Sequence, residues 1–425
     1  MKLISIPEER YEDYRLRAIF ECYKWDPQFL DNNTVASHVL EITEEEYEEV
    51  AKLTEMLDVE TRNAEEFLNK NLKLAKPLAL PKQIYNELKR MTNYNPKKHI
   101  RLMRYDFHPT TDNKWAVSEV NSDVPGGFAE ASLLPKLAME ILKTKKYYSI
   151  DFGEILADAL EKKTKKNGTI AFVHCTSYSD DRQVMQFIGD KMTQRGFKSL
   201  YVAADHLDFE DKKAKSILDN YEGNVDCIFR FTPLEWLRAI KPKTWDGYFD
   251  TVTPSCNHPV AIFAQTKRFP LVWDTLEENG IKLDTWKTLL PETLEVKKAK
   301  GLDGFIYKPA CGRVGEKISI KEACRDDEYE QILKEVKKYP NDYLAQKQFM
   351  SKPLIDNDGK EFHICLGSYT VDGKHAGFYA RISSKKRIDS DAADIPVIIK
   401  RSKKKWQEKK YIKSGLHIKK DGLIG

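Results

Sequence analysis

Residues 101–123 read RLMRYDFHPTTDNKWAVSEVNSD, and this stretch leaves the chain little freedom. Alternating apolar and polar residues run on both sides of Asp112-Asn113, the pattern of two strands joined by a tight turn. A hairpin centred on that turn sets Asp106 opposite Glu119 and Arg104 opposite Asn121. Strand alternation then puts all four on one face. Any sheet this chain forms has to accommodate two carboxylates, an amide and an arginine side by side.

Adjacent carboxylates repel each other unless a cation lies between them. A hard divalent ion such as Mg2+, bridging phosphates and held by oxygen donors, answers that need. The neighbouring arginine could stabilise a phosphoryl group in transfer. The same pattern also describes a solvated hairpin face with surface ion pairs. Pro125-Gly126-Gly127 follows directly and allows close backbone approach.

Around the hairpin the texture changes along the chain. The first hundred residues read as mostly helical. Thr43 and Glu46 form a capping-box pair ahead of Tyr47, Val50, Leu53 and Leu57 at helical spacing. Pro81 opens another helix with Ile84, Leu88 and Met91 along one face. From 167 the pattern is α/β, with strands at 169–174, 199–203 and 225–231 and a helix near 181–195. It is a Rossmann-like layer without G-x-G-x-x-G. From about 300 come strands at 305–308 and 318–320, the Gly312–Gly315 turn between them, a helix near 326–338, a strand at 343–346, and two strands around Asp372-Gly373. The residues from 401 to 420 are rich in lysine.

Several basic residues sit where chemistry could use them. Lys308 ends the apolar strand FIYKP and precedes Gly-Arg-Val-Gly, which suits phosphate binding through a point charge and backbone N–H groups. An ordinary turn beside an edge lysine reads the same way. Lys267, in QTKRFPLVWD, reads as a surface residue on its own. Gln346 to Phe349 fits a strand against an adenine ring or plain core. Arg381, in the apolar strand AGFYARIS, needs an anionic partner, either a core carboxylate or a ligand. His174 and His363 lie in apolar strands and read as core histidines.

Composition narrows the function classes. With 41% hydrophobic and 32% charged residues the chain reads as globular rather than disordered. Lys plus Arg number 70 against 66 Asp plus Glu, a net +4, so composition asks for neither nucleic acid nor a membrane surface. No apolar run reaches about 18 residues, and the start lacks a basic-then-apolar leader. Seven scattered cysteines without a Cys-x-x-Cys pair fit a reduced, cytoplasmic protein without a zinc-thiolate site.

In order along the chain, the blocks CYKWDPQFLDNNTVA, RYDFHP, SEVNSDVPGG, FRFTPLEW, TKRFPLVWD, FIYKPACGRVGEKI, LAQKQF and AGFYARI resemble the synthetase part of glutathionylspermidine synthase, a circularly permuted ATP-grasp ligase. The resemblance spans roughly residues 10–400. It implies a mixed α/β ATP-grasp fold with a Rossmann-like pre-ATP-grasp domain and a helical N-terminal segment. The expected units are 1–165 (that segment plus the hairpin), 166–260 (the Rossmann-like layer) and 261–425 (the core, a nucleotide lid at about 285–338, and the basic tail).

Residue by residue, the resemblance implies Mg2+ ligands at Asp106, Glu119 and Asn121, and arginines on the reacting groups at Arg104 and Arg381. ATP would be bound by Lys267, Lys308, Gly312, Gly315, Gln346, Lys347, Gln348 and Phe349. The amine end would involve Asp180, Asp181 and Glu235. There the sequence departs from the family: Asp180-Asp181 replaces glutamates, Arg230 stands where lysine is common, and Ser122-Asp123 follows Glu-x-Asn where glutathione readers carry small hydroxyl residues.

The implied activity is an ADP-forming carboxylate–amine ligase that works through an acyl phosphate. Its substrates would be a glutathione-like peptide and a polyamine or other amine, and a homodimer would be in keeping. No cysteine hydrolase half is present, so no amidase activity is expected. The competing readings are a non-catalytic ATP-binding pseudoenzyme and a nucleic-acid-binding protein acting through the basic tail.

Overall fold

The computed structural model describes residues 1–402, apart from 93, 238, 313 and 314. A six-stranded antiparallel sheet built from two hairpins distant in sequence holds the centre. One pairs Leu102–Pro109 with Trp115–Asn121 and the other pairs Glu361–Val371 with Lys374–Ser383, turning at Asp372-Gly373. The hairpins join antiparallel, with Gly367 facing Asp106 and Tyr369 facing Arg104. Ala393–Asp394 extends the edge, where Asp394 faces Arg381.

The first hairpin keeps the expected register where it matters. Arg104 opposes Asn121 and Asp106 opposes Glu119. The register then shifts, so that Phe107 faces Val117 and Ser118 is the extra residue of a bulge. The turn is therefore centred on Asp112, with Thr110 N–H donating to the Lys114 carbonyl at 2.9 Å. A bulge turns consecutive side chains to the same side, and both Ser118 and Glu119 line one cleft.

The helix Glu44–Lys70 covers the opposite sheet face. Its start is the expected capping box: Glu46 N–H donates to Thr43 Oγ1 at 3.1 Å and Thr43 N–H to Glu46 Oε2 at 2.8 Å. Val50, Leu57, Ala64 and Leu68 are buried, whereas Tyr47 and Leu53 are half-buried. Polar residues on the same stripe find partners: Thr54 Oγ1 donates to Ser368 Oγ and Thr370 Oγ1 to Asp58, both at 2.8 Å. Thr43→Ala should lower stability by about 1 kcal/mol, seen as a lower urea midpoint at unchanged slope.

Beside this sheet stands a parallel one, ordered Ser255–Cys256, Cys227–Arg230, Thr169–Val173 and Lys198–Val202. With the helices Phe152–Lys163 and Ser179–Gln194 it forms the expected Rossmann-like layer. A smaller sheet, Thr293–Leu294, Tyr343–Lys347 and Phe305–Pro309, carries the helix Asp326–Lys338.

One expectation needs correcting. No strand forms at 318–320. Ser319 N–H does reach the Tyr307 carbonyl, but Tyr307 N–H bonds the Ser319 hydroxyl at 2.7 Å, so a side chain takes the place of the ladder acceptor. The first hundred residues are mostly helical, as expected, though not wholly so. Lys2–Ser5 and His38–Thr43 are strands, and the latter pairs in parallel with Val397–Lys400 at the far end of the described chain. None of the seven cysteines forms a disulfide among the described residues. Among the described residues no helix is long and apolar enough to cross a membrane. The lysine-rich tail lies beyond residue 402 for almost its whole length, outside the described residues.

Candidate active site

Alternation along the central strands sends Tyr105 and Phe107 towards the long helix and leaves Arg104, Asp106 and His108 on a cleft of about 610 Å³. Glu119, Asn121, Cys365, Tyr379 and Arg381 join them from neighbouring strands. Gly367 makes this possible: a Cβ there would lie 2.8 Å from Arg104 Cδ, in the space the arginine side chain crosses.

Arg104 forks onto Asp106, with Nε to Oδ1 at 2.8 Å and Nη2 to Oδ2 at 3.0 Å, while Nη1 donates to the Gly126 carbonyl at 3.0 Å. Asn121 Nδ2 donates to Asp106 Oδ2 at 3.0 Å. Burial pushes the Asp106 carboxyl up from its ordinary range, opposed by Arg104. Burial acts on Glu119 in the same sense, yet Lys267 at 2.6 Å, helped by Lys308 and Arg104, leaves it below the usual carboxylate range.

The lysines come from the neighbouring segments. Lys267 Nζ also donates to the Gly312 carbonyl at 2.6 Å, tying the glycine turn to the central hairpin. Gly315 has φ +67°, and a Cβ there would lie 2.2 Å from the Ile388 carbonyl oxygen, so Gly315 packs directly on the loop after Ser383. Lys308 is buried. Its ammonium bonds two neutral oxygens, Gln346 Oε1 at 2.7 Å and, across to the bulge, the Ser118 carbonyl at 3.4 Å. Burial pulls it down to about 8, with Glu119 opposing.

Of the two anionic partners its apolar strand allows, a core carboxylate or a ligand, Arg381 takes no carboxylate among the described residues. Nη2 donates to the backbone carbonyls of Asp389 and Ala392, at 2.5 and 3.1 Å, and the guanidinium faces the cleft. Gln348 and Phe349 line the cleft. Gln346 instead sits beneath Lys308, and Lys347 is exposed and off the cleft wall. Asp180 and Asp181 reach the cleft from the start of their helix. Glu235 is buried on Leu234–Leu237, away from the lining. Arg230 also points elsewhere: it pairs with Asp123 in the interior and donates to the Thr232 carbonyl at 2.6 Å.

The sequence reading missed a second cluster on the same cleft. Lys24, Asp26, Glu130 and Asp394 meet there, and Tyr379 links them to the first group. Its hydroxyl donates to Asp394 Oδ1 at 2.6 Å, and its ring lies 5.0 Å from the Arg104 guanidinium carbon. Tyr379 stands two residues before Arg381, so strand period alone marks it for the same face. Gln265 was also missed. Its Oε1 accepts the N–H groups of Ser122 and Asp123, at 2.9 and 2.8 Å, and fixes the backbone after Asn121.

The donor set suits a hard cation: the buried carboxylate of Asp106, the half-buried one of Glu119 and an amide on adjacent strands, the carboxylates already partnered by cationic side chains. Asn121 turns its Nδ2 towards Asp106, which leaves its Oδ1 as an oxygen donor. Among the described residues no group of three His, Cys, Asp or Glu side chains is placed to hold a metal. Any such ion would take its remaining oxygens from phosphates or water.

A family model described as glutathionylspermidine synthase preATP-grasp matches residues 18–400. Among solved structures, a glutathione synthetase-like effector from Globodera pallida, in apo form, superposes with a TM-score of 0.62 at 13% identity, covering 93% of this chain and 99% of that one. A putative gamma-glutamylcysteine synthetase from Methylobacillus flagellatus gives a TM-score of 0.42 at 14% identity, covering 81% and 86%. No curated protein matches the chain.

Proposed function

The chain belongs to the glutathionylspermidine synthase pre-ATP-grasp family and has a mixed α/β ATP-grasp fold, and on that premise we propose an ATP- and Mg2+-dependent ligase that joins a carboxylate to an amine and releases ADP and phosphate. Family membership supports a ligase. The observation that carries the finer reading is the division of the cleft into a phosphate-suited and an amine-suited group. Among the described residues Lys308 is a buried ammonium bonded only to neutral oxygens, which suits an incoming polyanion. Asp26, Glu130 and Asp394 form an acidic wall that suits a cationic amine.

Each residue has work to do in this reading. Lys308 and Lys267 neutralise the nucleotide phosphates, beside Gly312 and Gly315 on the cleft wall. Mg2+, when held by Asp106, Glu119 and Asn121, would draw charge from the phosphates. Arg104, fixed in orientation by Asp106 and the Gly126 carbonyl, meets negative charge as it builds on the group being transferred. Arg381, anchored through one nitrogen to two carbonyls, presents the rest of its guanidinium to the same charge. The segment 285–338 acts as a lid whose sheet carries Lys308 and keeps water from an activated carboxyl.

The test is product analysis with Mg2+-ATP, first with glutathione and spermidine and then with a panel of small peptides and amines. ADP, phosphate and a condensed mass are expected in equal amounts. AMP with pyrophosphate would place the protein among adenylating enzymes, and ATP consumed without condensation would overturn the ligase reading.

A further inference from the structure

Lys24 has no part in handling phosphate, yet it is one of the most buried charged groups in the protein, with 2% of its surface exposed. It follows the first long helix, Glu8–Glu21, and its ammonium reaches Asp394 Oδ2 at 2.6 Å, Asp26 Oδ1 at 2.7 Å and Glu130 Oε1 at 3.4 Å. All four residues line the cleft. Burial works against the Lys24 charge, but Asp394, Glu130 and Asp26 together hold the ammonium above its ordinary range. The acidic wall therefore already contains one permanent cation supplied by the chain itself.

The wall is not satisfied by that cation. Glu130 is 6% exposed, and its Oε1 is shared between Lys24 and Gln183 Nε2 at 3.2 Å. Its other oxygen, Oε2, is buried with no hydrogen-bond partner among the described residues. An unpartnered buried carboxylate oxygen on a cleft wall lacks a donor that a ligand can bring. Asp180 adds negative charge close enough to raise Asp26. Three carboxylates set against one ammonium leave the Lys24 group two charges short of neutral once Glu130, raised by burial to about 7, is ionised.

We propose that Lys24 limits the charge of the amine acceptor: as a fixed internal ammonium it cancels one carboxylate of the wall, so that the site suits an amine of modest charge, one of whose ammonium groups meets Glu130 Oε2, and disfavours amines that carry more. This rests on the amine reading of the acidic wall given above. It makes Lys24 a specificity residue rather than a catalytic one. The nitrogen that attacks the carboxyl must be neutral, so only the remaining nitrogens of the acceptor contribute to the balance.

The test is calorimetric binding of 1,4-diaminobutane, spermidine and spermine to the full chain with Mg2+ and a non-hydrolysable ATP analogue, with condensation followed in parallel by mass spectrometry. Lys24→Met should raise the affinity for spermine relative to diaminobutane by about tenfold, the scale of one unit charge acting through a partly screened site. Lys24→Arg keeps the charge and should keep the wild-type ratio. Asp394→Asn removes a negative charge and should move the ratio the other way, which preserves the test if Lys24→Met does not fold. An unchanged ratio in the folded charge-altering variants overturns the role of Lys24, as does failure of the wild type to bind any amine. The expected shifts without any condensation would uphold Lys24 and overturn the ligase reading. Condensation with unchanged ratios would do the reverse.

Discussion

Lys308→Met is expected to reduce kcat/KM for Mg2+-ATP by about 10²–10³-fold, the cost of removing one preorganised charge from a developing phosphoryl transition state. The local geometry makes this residue the sharpest test. Its ammonium is buried against a glutamine oxygen and a backbone carbonyl, neither of which neutralises it. Methionine fills a similar volume without the charge, so folding should survive, and losing a poorly compensated buried cation should leave Tm unchanged or raise it. Full turnover in the folded variant would remove Lys308 from the nucleotide site.

Lys308 also carries a pH signature. Burial lowers it to about 8, so above that pH the ligand-free protein increasingly holds it neutral. Phosphates favour the charged form, so nucleotide binding should take up a proton there and weaken as pH rises past about 8. Calorimetry in buffers of different ionisation heat measures that uptake.

Arg381→Ala is expected to reduce kcat by about 10²–10³-fold with a smaller change in KM for ATP. One guanidinium nitrogen holds the carbonyls of Asp389 and Ala392 while the rest of the group faces the cleft. Lysine cannot hold both carbonyls and present a planar fork to the reacting charge. Arg381→Lys should therefore recover little of the lost kcat. Loss confined to KM, with kcat intact, would make Arg381 a binding residue only.

Much of the candidate site could be read locally. A strand repeats every two residues, so Arg104 with Asp106 and Glu119 with Asn121 share faces as soon as two strands and a turn are recognised. The capping box at Thr43 and the hairpin at Asp372-Gly373 are equally local, set by hydrogen bonds between residues a few positions apart. The strand expected at 318–320 was misread because a serine hydroxyl competes for the ladder position, a choice that apolar alternation does not encode. Arg230 was placed near the amine end by analogy of position, whereas its charge is spent inside the fold on Asp123.

Alternation, turns and caps are written in neighbouring residues, and with them which polar residues travel together on one strand. Which strands meet is settled by packing across the whole chain. The pairing of Leu102–Phe107 with Leu366–Val371, the contact of Lys267 with Glu119, and the closing of Asp394 over Lys24 join segments separated by more than a hundred residues. No local rule specifies such partners. They follow from burying the apolar faces of several elements at once, and the charged side chains on the opposite faces are carried into contact by that packing. The acidic wall around Lys24 is therefore absent from any one stretch of sequence and appears only when residues 24, 26, 130 and 394 share a cleft.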